Sequence, residues 1–233
     1  MREIVFDTET TGLSFPGGDR MVEIGCVELV NRVETGRTFH AYFNPERSMP
    51  PEAAAVHGLT EAFLSDKPRF AERVDELLRW LEDAPLIAHN AVFDMGFLNG
   101  ELDRCGRPTV AAARVVDTLP MARTKHPGAK HSLDALCSRY GVDRSHRVLH
   151  GALLDAQLLA QVYVELTGGR QIGLGLLAEN ARAAAAPVVA AAPRVSRPAR
   201  HFAASAGELA AHRAFISTLA DPLWGDGQAI GSN

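Results

Sequence analysis

The sequence predicts an α/β protein: a mixed central sheet flanked by helices, followed by a flexible linker and a C-terminal helical segment. Three observations carry this. The first 43 residues contain three apolar runs of strand character. Between residues 69 and 167, short apolar runs alternate with segments of helical spacing. Residues 180–200 are rich in Ala, Pro and Arg and contain no acid. Strands first, then strands alternating with helices, fit a mixed sheet covered on its faces.

Taken in order, residues 2–7 (REIVFD) are a short apolar run that ends in an acid and enters the turn-rich stretch 10–18, as a buried strand does when it delivers side chains to a sheet edge. Residues 21–30 and 37–43 read as two further strands joined through 31–36, completing an antiparallel meander. Phe70, Val74, Leu77, Leu78 and Leu81 recur at helical spacing within 69–81, and a short strand is expected at 86–89. Helices are expected at 94–105, 132–140 and 151–167, with a short strand at 115–117. Pro187, Pro193 and Pro198 forbid a long helix in 180–200, which reads as a linker. Beyond it, Leu209, Phe215, Ile216 and Leu219 restore helical spacing over 205–219, and Trp224 follows. A helix so isolated has no core of its own to cover its apolar face, so a partner surface is its expected destination.

At 233 residues and 46% apolar content, the chain can bury one substantial core and carry an extension. The N-terminal residues MREIVFDTETTG show no basic n-region with an apolar h-region behind it, and no run approaches a membrane span, so the cytoplasm is the expected location, without membrane association. Cys26, Cys105 and Cys137 are odd in number and form no CxxC pair, which indicates neither a disulfide framework nor a thiolate zinc site. His146 and His150 are four apart, but no third ligand cluster follows them. The net charge of −4 is wrong for a protein that grips nucleic acid by phosphate neutralisation alone. Any action on nucleic acid therefore needs positive charge from metal ions or a partner.

Four carboxylates stand where open sheets place their ligands. Asp7 and Glu9, two apart, share one face of the first strand. Asp94 sits at the start of a helix, after the apolar strand that runs into His89-Asn90. Asp155 lies about one turn into the last helix of the domain, with His150 at its mouth. Singly, each has an ordinary reading as a turn acid or a first-turn helix acid. Gathered together, like charges ~4 Å apart would repel by about 4 kcal/mol, so the set calls for cations. Oxygen ligands without sulfur select Mg²⁺ or Mn²⁺, and a pair of such ions suits in-line displacement at phosphorus. His150 is the natural proton acceptor for the attacking water.

Asp7-Thr8-Glu9, Asn90 to Asp94 and His150 to Asp155 resemble the three motifs of the DEDDh family of 3′→5′ exonucleases, in order. PEAAAVHG (51–58), HSLDALCSRYGV (131–142) and HGALLDAQLLAQVY (150–163) are similar to the epsilon, or proofreading, branch of that family in bacterial DNA polymerase III. The resemblance covers roughly residues 1–170 and implies a ribonuclease-H-like fold. It also implies that Asp7, Glu9 and Asp155 are direct metal ligands, that Asp94 holds the second ion partly through water, and that His150 is the general base. Asp7, Glu9, Thr10 and Asp155 would bind substrate as well, Thr10 with Thr11 and Gly12 in a tight turn near the 3′-terminal sugar. Glu52 and His57 match positions that contact the terminal nucleotide, against the alternative of a short solvated helix. His89 either supports the site or is a core histidine satisfied by hydrogen bonds.

The family pattern divides the chain into an exonuclease domain (1–170), a clamp-binding peptide (171–176), a linker (177–201) and a polymerase-binding tail (202–233). Gln171 to Leu176 resembles the short peptide with which such subunits dock on the sliding clamp. The tail resembles, in position, the segment that binds the polymerase alpha subunit. The expected activity is removal of mispaired 3′-terminal nucleotides from single-stranded or frayed DNA as nucleoside 5′-monophosphates. Two alternatives are an exonuclease of the same fold that trims RNA oligomers or tRNA ends, and an inactive scaffold between clamp and polymerase. The tethered tail speaks against the first, and the intact acids and His150 against the second.

Overall fold

Alternation within the first strand decides how the sheet is covered. The computed structural model describes residues 1–145, 149–169 and 204–220, and the chain divides into two units, Met1–Leu177 and Ala178–Asn233. In the first unit, β1 (Arg2–Thr10) turns Ile4 and Phe6 into an apolar layer with Ile24, Cys26, Phe39, Leu77, Phe97 and Leu98. The helices α3 (Phe70–Leu81) and α4 (Ala91–Arg104) contribute to that layer. Val5 points the other way and joins Val27, Leu29, Ile87, Ala156, Leu159 and Tyr163 beneath α7 (Ala152–Leu166). Each fully buried Phe, Leu or Ile in these layers contributes about 2 kcal/mol of apolar burial. Because side chains alternate along a strand, Asp7 and Glu9 fall on the α7 side and Thr8 on the α4 side.

With β3 spanning Val33–Tyr42, β2 Met21–Val30, β4 Leu86–Ala88 and β5 Val115–Asp117, the five strands run in the order β3-β2-β1-β4-β5. β1 pairs antiparallel with β2 (Met21–Val30) and parallel with β4 (Leu86–Ala88), which in turn pairs parallel with β5 (Val115–Asp117). The C-terminal ends of β1, β4 and β5 therefore open on one edge, where open α/β sheets bind their ligands. This is the mixed sheet expected from the order of elements.

Several boundaries differ from expectation, each for a local reason. β1 continues through Thr10, three residues beyond the expected 2–7 run, and keeps Glu9 on the strand as the shared face with Asp7 requires. β3 (Val33–Tyr42) starts at Val33, not at 37, because Asn31 (φ 52°) and Arg32 (φ 64°) make a two-residue left-handed hairpin turn. The surplus residues are absorbed further along: Val27 pairs with Thr38 but Leu29 pairs with Glu34, with Gly36 at φ 80° in the bulge. α1 (Pro51–His57) is the short helix expected there, and α2 (Glu61–Leu64) follows it. α5 (Thr118–Lys125) was not expected. Its Pro120 lies in the first helical turn, where proline removes no intrahelical bond. α6 (Leu133–Tyr140) is capped by Ser132.

In the second unit, α8 (Ala206–Ile216) carries a capping box between Ser205 and Glu208, and leaves Leu209 and Phe215 exposed, as is Leu219 just beyond. His146, the 171–176 peptide, the 177–201 linker, Phe202 and Trp224 lie outside the described residues. Among the described residues, no helix is long and apolar enough to cross a membrane.

Candidate active site

The site forms where β1 ends. The register of β1 on β2 shifts between Glu9 and Thr10, pairing Glu9 with Glu23 but Thr10 with Met21. Such a bulge re-aims the backbone at the rim of a sheet. Thr10 Oγ1 donates to the Gly12 carbonyl at 2.6 Å, and Thr11 Oγ1 donates to Asp19 at 3.2 Å. Arg20 fixes the far end of this loop, its Nε and one terminal nitrogen donating to the two Glu101 oxygens on α4 at 2.6 and 2.8 Å. Thr10 and Thr11 are both buried and Gly12 is half-buried, so the turn after the first acids is a firm wall.

Asp94 comes from the opposite side of the sheet. Its helix starts at Asn90, which adopts φ 64°, a left-handed conformation that asparagine tolerates. The Asn90 amide donates to Asp117 Oδ1 at 3.0 Å, fixing the end of β4. One turn in, Asp94 is buried, and its Oδ1 accepts from the Thr8 amide at 3.1 Å and from Thr8 Oγ1 at 2.7 Å. Burial raises its carboxyl to about 7 despite these donors, with Asp117 adding a smaller like-charge push. Asp7 keeps some solvent contact, yet its carboxyl is held well above the usual carboxylate range. Desolvation is the main cause, followed by the charges of Asp94, Glu9, Asp155 and Glu23. The other three expected acids are thus each within electrostatic reach of Asp7.

The α7 side supplies the rest. Gly151 caps the helix, and Asp155 follows as a buried first-turn acid. His150 is exposed, and its Nδ1 lies 3.1 Å from Asp155 Oδ2. Its backbone amide donates to the Val56 carbonyl at 3.2 Å, tying the entry to α7 onto α1. Ligand atoms of Glu9, His150 and Asp155 all lie within 4.8 Å of one another. These carboxylate oxygens, crowded and partly withdrawn from water with no thiolate nearby, fit hard divalent cations.

The remaining expectations separate. His57 is buried, not solvated: Nδ1 accepts from the Leu59 amide at 3.1 Å. That bond leaves the proton of the neutral ring on Nε2, which is turned toward the Thr10 backbone with no well-formed partner among the described residues. Burial lowers its proton affinity. Glu52 is exposed in the first turn of α1 and is not drawn into the acidic cluster. His89 is a histidine satisfied by hydrogen bonding, its Nδ1 2.8 Å from Thr118 Oγ1.

The sequence pattern of the family described as Exonuclease (RNase_T) matches residues 4–163. The DNA polymerase III subunit epsilon of Rickettsia felis is 55% identical over 174 residues, covering 73% of this chain and 76% of its own. That of Salmonella typhimurium is 46% identical over 226 residues, covering 94% and 93%. The chain belongs to the exonuclease family, in its epsilon-subunit branch. Among solved structures, Exonuclease X in complex with 5′-overhanging duplex DNA superposes with a TM-score of 0.55 at 26% identity, over 70% of this chain and 90% of the other. This epsilon-family exonuclease has the ribonuclease-H-like fold and the 3′→5′ proofreading activity that its motifs implied.

Some residues that shape this exonuclease site escaped the sequence. Glu23 is buried on β2 beside Glu9, with Oε1 2.7 Å from His40 Nε2 and a further hydrogen bond to Tyr42. Two acids, Glu23 and Glu28, interrupt the apolar run MVEIGCVELV, and acids so placed in a buried strand were a visible signal. Thr8 had none, because its role is to meet a helix 86 residues away.

Proposed function

We propose that this site hydrolyses the 3′-terminal phosphodiester of single-stranded or frayed DNA and releases a nucleoside 5′-monophosphate. The observation that carries the reading is the convergence of Glu9, His150 and Asp155 beside an Asp7 carboxyl whose ionised form is disfavoured by burial and then by neighbouring negative charge. Asp7, Glu9 and Asp155 hold divalent ions, Mg²⁺ or Mn²⁺, and Asp94 completes the place of a second. Ions held there would supply positive charge beside the phosphoryl oxygens and acidify a water for in-line attack.

The chain's own groups do the rest. Asp155 orients the His150 ring through Nδ1. This leaves Nε2 to take the proton of the attacking water as the P–O3′ bond breaks and the penultimate 3′-oxygen departs. The bulged Thr10 backbone and the buried His57 Nε2–H line the place of the terminal nucleotide, and Glu52 meets it from the exposed side of α1. The site needs a terminus freed from its duplex. A mispaired end is cheaper to unpair, which gives discrimination without reading sequence.

In the cell this activity serves the replicative polymerase in the cytoplasm. The 202–233 tail binds the alpha subunit, the 171–176 peptide touches the sliding clamp, and 177–201 links them to the exonuclease domain, 1–170. Support for this comes from the epsilon-subunit relatives that match nearly the whole chain and from the exposed apolar residues of α8.

The test is Mg²⁺-dependent digestion of a 5′-labelled primer with a mismatched 3′ end, with and without polymerase, beside an RNA oligonucleotide of the same sequence. DNA shortened one nucleotide at a time, faster than RNA and faster at the mismatch, is expected. His150→Ala should lose turnover by about 10²-fold or more while Mn²⁺ still binds, whereas Asp7→Ala should lose both. Undiminished turnover in either variant would defeat the assignment.

A further inference from the structure

Gly25 lies on β2 directly across from Asp7. A Cβ built at this position would stand 2.2 Å from the Leu153 nitrogen, 2.3 Å from the Ala152 carbonyl carbon and 2.3 Å from the Leu153 Cα. These are backbone atoms in the first turn of α7, and no rotamer change can move them away. Elsewhere among the described glycines, contacts closer than 3.0 Å are to side chains: the Asp19 carboxylate at Gly12, Leu149 Cδ1 at Gly58 and the Phe15 ring at Gly100. At Gly25 alone the helix rests on bare strand. His150 precedes this contact by two residues and Asp155 follows it by two.

We infer that Gly25 is a positioning residue for the exonuclease reaction: its missing side chain sets how deeply the start of α7 seats on the sheet. That depth sets the reach of Asp155 and His150 toward Asp7 and Glu9. The inference rests on the roles proposed above for those four residues. A methyl group at Gly25 would force the helix start back by on the order of 1 Å to reach ordinary van der Waals separation. A displacement of that size in a catalytic constellation costs about 10²-fold in rate. Mg²⁺, which demands near-ideal octahedral ligands, suffers more than an ion of looser geometry.

The experiment compares Gly25→Ala with Val74→Ala, a buried α3 substitution that loosens the core beneath the other face, and with Asp155→Ala. Three quantities are read for each: turnover on single-stranded DNA, Mn²⁺ affinity from electron paramagnetic resonance of the free ion, and metal-free melting temperature. Gly25→Ala should lose about 10²-fold in Mg²⁺-supported turnover and bind Mn²⁺ at least ~10-fold more weakly. Val74→Ala should keep both at a comparable melting temperature. Unchanged Mn²⁺ affinity and turnover in Gly25→Ala, with both lost in Asp155→Ala, overturns the positioning role and leaves the proposed function standing. Full activity in Asp155→Ala overturns the proposed function itself. Should Gly25→Ala not fold, Ala152→Val enlarges a fully buried residue of the same helix end and must show the same loss. Normal Mn²⁺ affinity there, or failure of both variants to fold, overturns the inference, because the contact then sustains the fold without tuning the site.

Discussion

Replacing Asp94 by asparagine should stabilise the metal-free protein at alkaline pH. The side-chain oxygen that accepts from the Thr8 amide and hydroxyl survives the change, whereas the charge does not. Burial raises the Asp94 carboxyl from 3.8 to about 7. Its contribution to stability is therefore fully present below pH 3.8 and is lost as the pH rises through about 7. At pH 8 the ionised group costs the folded state roughly 4 kcal/mol relative to the unfolded chain; at pH 4.5 the cost is about 1 kcal/mol. Asparagine escapes both. For a domain of this size, the melting temperature in EDTA should rise by on the order of 10 °C at pH 8 and by about 3 °C at pH 4.5. Saturating Mg²⁺ reverses the order, since ions that bind only the folded form stabilise the wild type. The assay is thermal unfolding by circular dichroism at the two pH values, with EDTA or Mg²⁺. A lower melting temperature for Asp94→Asn in EDTA at pH 8, or an equal rise at both pH values, would refute the argument from buried charge.

Three further outcomes follow from single contacts. Glu101→Ala strands the Arg20 guanidinium that anchors the loop after β1 and should cost about 3–5 kcal/mol in urea unfolding. Tyr163→Phe deletes the hydroxyl that donates to buried Glu3 at 2.7 Å, so a loss of about 1–3 kcal/mol is expected from the same measurement. In an isolated peptide spanning 204–220, Ser205→Ala removes the capping box of α8 and should weaken the helix by about 1 kcal/mol, read as lost ellipticity at 222 nm.

Local pattern determined a good deal about this protein. The apolar runs placed the strands; Val74, Leu77 and Leu81 placed α3; the order of the elements gave a mixed sheet. The acids at strand ends and helix starts, with His150 beside them, pointed to exonuclease chemistry before any coordinates, because each motif is a few residues long and its period is set by the backbone. What local pattern missed was set by contacts across the chain. His57 is buried, against the alternative of a solvated helix, and Glu23 joins the electrostatics of Asp7 only through strand pairing.

The meeting of the acids shows the division most clearly. Strand alternation puts Asp7 and Glu9 on the α7 face, while Asp94 rides a helix that packs on the other. Period alone therefore separates them. Asp94 comes within reach of Asp7 because β1 ends beside the N-terminus of α4, where Thr8 donates to Asp94, while on the opposite side the start of α7 lies directly against Gly25. Residue type and spacing dictated which groups were available. Only the packing of two helices against one strand end decided that Glu9 and Asp155 would lie side by side and that Asp94 would come within electrostatic reach of Asp7.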